Sequence, residues 1–117
     1  MRKLFHLGSC STCQRIIKDW NPDDSLTQKD IKKEAITEKE IDEMAKLTGS
    51  YEKLFSRRAM KYRSMGLKEK VLSEQDYRKL ILDEYTFLKR PVLILDDAIF
   101  VGNTKKVVAA AKEALAK

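Results

Sequence analysis

Apolar positions at the start of the chain predict a short strand followed by an amphipathic helix. Leu4 to Leu7 is an apolar run that is typical of a buried strand, and Gly8-Ser9 makes a turn after it. Four side chains then recur at i, i+3, i+4 and i+7, namely Cys13, Ile16, Ile17 and Trp20. This spacing places them on one face of a helix. The turn formers Asn21 to Asp24 predict that the helix ends near Trp20.

The middle of the chain combines a second strand with a long helical stretch. Ser25 to Ile31 is expected to be a strand, and the order strand, helix, strand predicts a parallel, right-handed crossover. From Ile36 the periodicity is helical for about fifty residues. A capping box, Thr37 to Glu40, starts one helix there, and Ser73 to Asp76 opens another.

The last third of the chain returns to strands. Pro91 to Leu95 and Ala98 to Val101 are two apolar runs separated by Asp96-Asp97, which predicts a β-hairpin. Gly102-Asn103-Thr104 leads into a final, alanine-rich helix. The fold class is therefore α/β. We expect residues 1–117 to form a single domain in which the helices at about 36–88 are an insertion, because helices with so few partners cannot bury their apolar faces alone.

The composition describes a soluble globular protein. The 117 residues suffice for one domain with one core, and 43% of them are hydrophobic while 36% are charged. No apolar run approaches the length that spans a membrane, and the N-terminal strand is too short for the core of a signal peptide. We therefore expect a cytoplasmic protein without a membrane partner.

The distribution of the basic residues along the sequence explains their excess without a nucleic-acid partner. Lysine and arginine number 24 against 18 acids, a net charge of +6 that would attract small anions or an acidic partner. However, the lysines are interleaved with glutamates along helical stretches, and no arginine-rich stripe with aromatic neighbours is present. Solvated helix faces explain the charge better than direct binding of nucleic acid.

Both cysteines of the chain lie at the start of the first helix, as Cys10-Ser11-Thr12-Cys13. Unpaired backbone N–H groups and the positive end of the helix dipole favour a thiolate there. Cys10 would attack and Cys13 would resolve the product. A cytosolic C-x-x-C is more plausibly catalytic or redox-sensing than a structural disulfide.

Two other interpretations of the cysteines remain open. A structural zinc site needs four ligands, whereas the chain has only these two cysteines and one histidine, His6. No metal is therefore expected. The second alternative is that Cys13 is an inert core residue, since it lies on the apolar face of its helix.

The order β-α-β, helical lobe, β-β-α resembles a thioredoxin-like fold with the insertion of the arsenate reductase-like (ArsC) family, which includes YffB-type proteins and Spx regulators. The resemblance covers almost the whole chain. The stretches that carry it are Cys10-Ser11-Thr12-Cys13, Leu54 to Leu67, Lys89-Arg90-Pro91-Val92 and Val101-Gly102.

The resemblance implies two catalytic cations and a nucleophile. The catalytic cysteine of the family falls on Cys10, and its anion-binding arginine before the proline falls on Arg90. The arginine of the helical lobe falls on Arg58, with Arg57 as the alternative. Positive charge is what a nucleophilic thiolate needs when it attacks an oxyanion or a disulfide. On the sequence alone, Arg90 and Arg58 would be surface residues, paired with acids or solvated.

The remaining site residues are expected to contact the substrate. His6 matches a histidine that arsenate reductases have four residues before the cysteine, although a core role or a hydrogen bond to the loop would also explain it. Pro91 matches the cis-proline that faces the redox pair. Ser11 and Thr12, between the cysteines, complete this group.

Three features depart from the classical arsenate reductases. Asn103 stands where those enzymes have a third arginine, and Leu7-Gly8 replaces an asparagine-proline element before the cysteine. Cys13 is absent from the glutathione-coupled reductases but present in Spx and in some other members of the family. These departures argue against arsenate as the substrate.

The sequence thus predicts a thiol-dependent oxidoreductase that cycles between a Cys10/Cys13 dithiol and its disulfide. The expected substrate is a small thiol or an oxyanion. Glutathione, glutaredoxin or thioredoxin would supply electrons, and no organic cofactor would be needed. The alternative is an Spx-like regulator that binds RNA polymerase and uses oxidation of the C-x-x-C as a switch.

Overall fold

A computed structural model describes residues 1–116 of the chain. Its contacts divide the chain into two compact units. We call Met1–Glu34 together with the chain from Arg90 onwards the sheet unit, and Ala35–Lys89 the helical unit.

Four strands and five α-helices follow one another in the described chain. Their bounds are β1 Arg2–His6, α1 Ser11–Trp20, β2 Thr27–Asp30, α2 Glu38–Thr48, α3 Met60–Ser64, α4 Glu74–Asp83, β3 Val92–Leu95, β4 Ala98–Val101 and α5 Lys105–Leu115. Three short 3₁₀ turns lie between the helices of the helical unit, at Glu52–Leu54, Leu67–Glu69 and Tyr85–Phe87. The α/β class and the predicted order of elements are confirmed.

The sheet unit contains one mixed sheet with the strand order β2-β1-β3-β4. β1 and β2 pair in parallel, as the crossover predicts, and this register sets His6 opposite Asp30. β3 pairs antiparallel with both β1 and β4. Because β1 lies between β2 and β3, its carboxyl end, where α1 begins, is held from both sides.

The core of the sheet unit joins the sheet to α1 and α5. Leu4 and Leu93 are fully buried from the sheet, and Trp20 and Ala111 are buried from the two helices. The Trp20 indole N–H donates a hydrogen bond of 3.0 Å to the carbonyl of Val108, which satisfies the only polar atom of this large side chain. This packing fixes the orientation of α1 and therefore of the residues at its start.

The helical unit follows its local capping signals. Thr37 accepts a hydrogen bond from the N–H of Glu40 at 3.1 Å, and the Glu40 carboxylate accepts one from the N–H of Thr37 at 2.9 Å, which completes a capping box. Ser73 and Asp76 form the same motif at the start of α4. α2 ends at Gly49, whose φ of +97° few other residues adopt.

Aromatic packing holds the centre of the helical unit. Phe55 is fully buried, and its ring centroid lies 5.0 Å from those of both Phe87 and Tyr77. Such contacts stabilise a small core beyond the area that they bury. None of the helices in residues 1–116 has the length and apolar character needed to cross a membrane.

Candidate active site

Cys10 is the N-cap residue of α1, immediately after the loop that leaves β1. Its backbone is extended, with φ −90° and ψ +109°, and its N–H donates a 3.0 Å hydrogen bond to the carbonyl of Leu7. The turn therefore closes just before the helix, and the side chain of Cys10 lies where the first N–H groups of α1 are unpaired. Sequence reasoning placed Cys10 at or beside this cap, and the structure confirms that position.

Several groups act on the Cys10 sulfur, and their balance favours the thiolate. Partial burial raises the pKa of Cys10, but the N–H and thiol of Cys13, the positive charge of Arg90 and the N–H of Thr12 lower it by more. The net pKa lies below its usual value of 9.0. Helix N–H groups and a guanidinium are the groups that activate cysteines elsewhere.

The second thiol has the opposite character. Cys13 is buried, with 1% of its surface exposed, and it is a free thiol, as is Cys10. Burial raises the pKa of Cys13 to about 11, helped by its hydrogen bond to Cys10 and opposed by the N–H of Leu7 and by Arg90. Cys13 therefore stays protonated and donates a hydrogen bond to the sulfur of Cys10, which carries the negative charge.

Arg90 and Pro91 directly precede β3 and are distant in sequence from the two cysteines. The peptide bond between them is cis, as the resemblance implies. The carbonyl of Pro91 accepts a 2.9 Å hydrogen bond from the N–H of Gly102, just after β4. Arg90 is half-buried and its charge reaches both sulfurs, since it lowers the pKa of Cys10 and of Cys13.

Asp30, at the carboxyl end of β2, holds the loop that precedes Cys10. Burial raises the pKa of Asp30, but the N–H groups of Lys32 and Gly8 and the charges of His6 and Lys33 lower it by more. A Cβ on Gly8 would collide with Oδ2 of Asp30, so a larger residue at this position would push the carboxylate away from the loop. Sequence reasoning missed Asp30. The sequence predicted that β1 and β2 are parallel, and this would have placed their carboxyl ends, and therefore Asp30 and the loop before Cys10, side by side.

Gln14 is a second residue that sequence reasoning missed. Its side-chain nitrogen donates to the carbonyl of Leu7 at 3.1 Å and lies 3.2 Å from Nδ1 of His6. Burial and Lys33 lower the pKa of His6 below 6.5, against the opposing effect of Asp30, so the neutral form of the ring is favoured. One amide thus connects His6 to the loop, which agrees with the interpretation of His6 as a residue that organises the loop.

Arg57 and Arg58 belong to the helical unit and have different surroundings. Arg57 pairs with Glu52 at 2.8 Å, donates to the hydroxyl of Tyr77 at 3.1 Å, and lies 6.0 Å from the ring centroid of Phe55. Arg58 is exposed and lines a cavity on the surface of this unit, as Arg57 does, but it has none of these contacts. Because Arg57 is already paired with Glu52 and contacts Tyr77 and Phe55, Arg58 is the better candidate to bind an external anion.

The structure brings together most of the residues that the sequence predicted. The sheet unit contains His6, Cys10, Ser11, Thr12, Cys13, Arg90 and Pro91. Ser11 is the first residue of α1 and is exposed, as is Asn103 before α5. No cluster of three or more histidine, cysteine or acidic side chains suited to a metal occurs among the described residues.

The chain is similar to known proteins along most of its length. The sequence model of the ArsC family matches residues 5–111. The global transcriptional regulator Spx of Staphylococcus epidermidis is 29% identical over 105 residues, which cover 87% of this chain and 79% of that protein.

Two solved structures show the same fold. The YffB protein superposes with a TM-score of 0.77 at 21% identity and covers 95% of this chain and 98% of its own. An arsenate reductase (ArsC) related protein from Brucella melitensis gives a TM-score of 0.69 at 24% identity, with 93% and 92% covered. Because the family model spans nearly the whole sequence and the fold agrees, the chain belongs to the ArsC family and has its thioredoxin-like fold.

Proposed function

We propose that this protein is a thiol-dependent oxidoreductase in which Cys10 is the nucleophile and Cys13 the resolving thiol. The single observation that supports this most is the contrast between the two sulfurs. The pKa of Cys10 is below its usual value, whereas that of Cys13 is raised to about 11. One thiol is prepared to attack, and its neighbour is in contact with it and held protonated until it is needed.

The first step is attack by the Cys10 thiolate on a sulfur of a disulfide substrate. A bond forms between Cys10 and that sulfur, the substrate disulfide breaks, and the other half leaves as a thiolate. The thiolate that leaves takes up a proton from the solvent. The helix N–H groups and Arg90 stabilise the negative charge before the attack.

The second step releases the other half of the substrate. Cys13 loses its proton to the solvent and attacks the sulfur of Cys10. The Cys10–Cys13 disulfide forms as the bond between Cys10 and the substrate breaks, and the second substrate thiolate leaves and takes up a proton from the solvent. The protein has then been oxidised by two electrons and the substrate reduced by two. Two molecules of glutathione, or the dithiol of a glutaredoxin or thioredoxin, would return the protein to its dithiol form.

The remaining predicted residues receive supporting roles in this proposal. Arg90 screens charge at the reacting sulfurs, and Arg58 is proposed to bind an anionic group of the substrate. Ser11, Thr12, His6 and Pro91 would contact the substrate beside Cys10. A small disulfide or mixed disulfide suits this site better than arsenate, because Asn103 replaces the third arginine. The reducing cytoplasm is the compartment in which such a cycle would operate.

The proposal is tested by trapping the intermediate. Cys13→Ser protein, incubated with oxidised glutathione, should accumulate one glutathione on Cys10, detected by mass spectrometry after digestion. The wild type under the same conditions should instead form the Cys10–Cys13 disulfide. Titration of the wild type in redox buffers of known potential should show a single two-electron transition.

The matched control exchanges the two positions. Cys10→Ser protein should neither accumulate the adduct nor turn over a disulfide substrate in the presence of glutathione. An adduct on Cys13 in this control, or full turnover without Cys10, would remove Cys10 from the mechanism. A wild type that never forms an internal disulfide would identify Cys13 as an inert core residue.

A second candidate function is supported by the relatives. The Spx protein of Staphylococcus epidermidis is a transcriptional regulator, and 29% identity over most of both chains is compatible with a shared regulatory role as well as with a shared chemistry. In this alternative, the same dithiol is a switch, and its oxidation changes binding to RNA polymerase. A pulldown with polymerase under reducing and oxidising conditions, beside the disulfide reduction assay, separates the two functions.

A further inference from the structure

The positive charge of the chain is concentrated in one segment of the helical unit. Residues 57–70 contain six basic residues and a single acid, Glu69, so they carry +5 of the net charge of +6. We call this segment, which includes α3 and the 3₁₀ turn Leu67–Glu69, the basic segment. Such a concentration of one sign of charge creates a strong local potential and selects partners of the opposite sign.

Exposed apolar side chains occur at the same place. Four large hydrophobic residues of the described chain are exposed, and three of them lie within or directly after the basic segment. Met60 is 89% exposed, Met65 46% and Val71 100%. Single exposed apolar residues are ordinary, but these three fall within twelve positions of the sequence.

The surface here is concave rather than flat. A cavity of about 740 Å³ is lined by residues of the basic segment alone, namely Arg57, Arg58, Ala59, Met60, Tyr62, Arg63, Ser64 and Lys68. None of these residues is acidic. Of the four cations, only Arg57 is neutralised by an ion pair, with Glu52. Within residues 1–116, Arg58, Arg63 and Lys68 form no ion pair, so their charges face outward.

We propose that the basic segment binds an acidic segment of a partner protein that also presents an apolar side chain. Carboxylates of the partner would pair with Arg63 and Lys68, and its apolar side chain would pack against Met60. An unbranched methionine adapts its shape to such a side chain. Arg63, Lys68 and Met60 have no role in the proposed chemistry of Cys10 and Cys13, so these contacts can be tested whether or not the protein is an oxidoreductase.

Two other anionic partners fit the surface less well. Single-stranded nucleic acid is bound by stacking on exposed aromatic rings, but the one aromatic residue of the basic segment, Tyr62, packs edge-on against Phe55 at 6.0 Å. A membrane surface is bound by an amphipathic helix with a broad apolar face, and α3 has only five residues. A short peptide, in contrast, fits a cavity of this volume.

The test measures binding of a fluorescein-labelled peptide that is rich in aspartate and glutamate and contains one leucine. Fluorescence anisotropy should show saturable binding that weakens as salt is added, because screening shortens the range of the attraction. A matched peptide with asparagine and glutamine in place of the acids should not bind. The acidic peptide with serine in place of leucine should bind more weakly.

Variants locate the binding. Arg63→Ser combined with Lys68→Ser should weaken binding roughly tenfold, the effect expected when two ion pairs are lost. The control, Lys39→Ser with Lys46→Ser, removes the same charge from exposed positions on α2 and should leave affinity nearly unchanged. Met60→Ser should weaken binding, and Met60→Leu should restore it. All of these residues are exposed, so the variants should fold.

Specific outcomes would overturn the proposal. Equal losses in the two double variants would mean that the peptide responds only to net charge. No difference between Met60→Ser and Met60→Leu would remove the apolar contact. Tighter binding to oligothymidylate, or to vesicles that contain phosphatidylserine, than to the acidic peptide would assign the surface to nucleic acid or to a membrane instead.

Discussion

The two cysteines should differ strongly in reactivity toward iodoacetamide, although they are only three positions apart. At pH 8, a pKa below 9.0 makes about a tenth or more of Cys10 a thiolate. A pKa of about 11 leaves about one thousandth of Cys13 ionised at that pH. Since only the thiolate reacts, ionisation alone favours Cys10 by roughly a hundredfold.

Two further effects modify this ratio. A thiolate of higher pKa is a better nucleophile. A difference of two pKa units therefore makes the Cys13 thiolate roughly eight times more reactive than the Cys10 thiolate, which reduces the advantage of Cys10 by that factor. Burial acts in the other direction, because Cys13 is 1% exposed. We therefore expect Cys10 to be alkylated at least about ten times faster than Cys13 in the folded wild type at pH 8.

The assay is a time course with iodoacetamide on the reduced protein, in which mass spectrometry of the digested chain reports the modified fraction at each cysteine. A second time course in denaturant serves as the control, and there both cysteines should react at similar rates. Similar rates in the native protein, or faster modification of Cys13, would refute the assignment of attacking and resolving thiols.

Three other predictions concern the surroundings of the cysteines. Arg90→Gln should raise the pKa of Cys10, measured from the pH dependence of alkylation, whereas Arg90→Lys should largely preserve it. Gly8→Ala should lower the melting temperature by roughly 3 to 6 °C, because its methyl group would displace the carboxylate of Asp30 from the loop. The wild type should lose stability as the pH rises from 9.0 to about 11, because there the unfolded chain ionises Cys13 and the folded chain does not. Cys13→Ser should lack this component in urea denaturation at each pH.

Each of these predictions has an outcome that contradicts it. Arg15→Gln, on the exposed face of α1, removes the same charge as Arg90→Gln, and an equal shift in both variants would show that Arg90 has no special role. In an Asp30→Ala background, Gly8→Ala should have little further effect, so additive losses would exclude the proposed collision. The same stability loss with pH in Cys13→Ser and the wild type would assign that loss to other groups.

Local signals in the sequence determined the elements and the position of the nucleophile. The capping box at Thr37, the helix start at Ser73 and the apolar face that ends at Trp20 all depend on residues within about one or two helical turns of each other. The same is true of Cys10, because a cysteine at the start of a helix meets unpaired N–H groups whatever the rest of the fold is. The hairpin of β3 and β4 likewise follows from two apolar runs and the short turn between them.

Only the tertiary structure decided which distant groups act on that nucleophile. Arg90 is eighty positions from Cys10 and reaches it because β3 pairs with β1, a register that no local pattern encodes. Parallel pairing of β1 with β2 likewise brings Asp30 against Gly8, at a position where the sequence shows only a polar strand end.

The same distinction explains Arg57 and Arg58. The two are adjacent and chemically identical, so periodicity and composition could not separate them. Glu52, Phe55 and Tyr77 hold Arg57 in the packed helical unit, and Arg58 faces outward by default. Glu52 and Phe55 are within five positions of Arg57, but Tyr77 is twenty positions away and reaches it only because the core packs those two segments together.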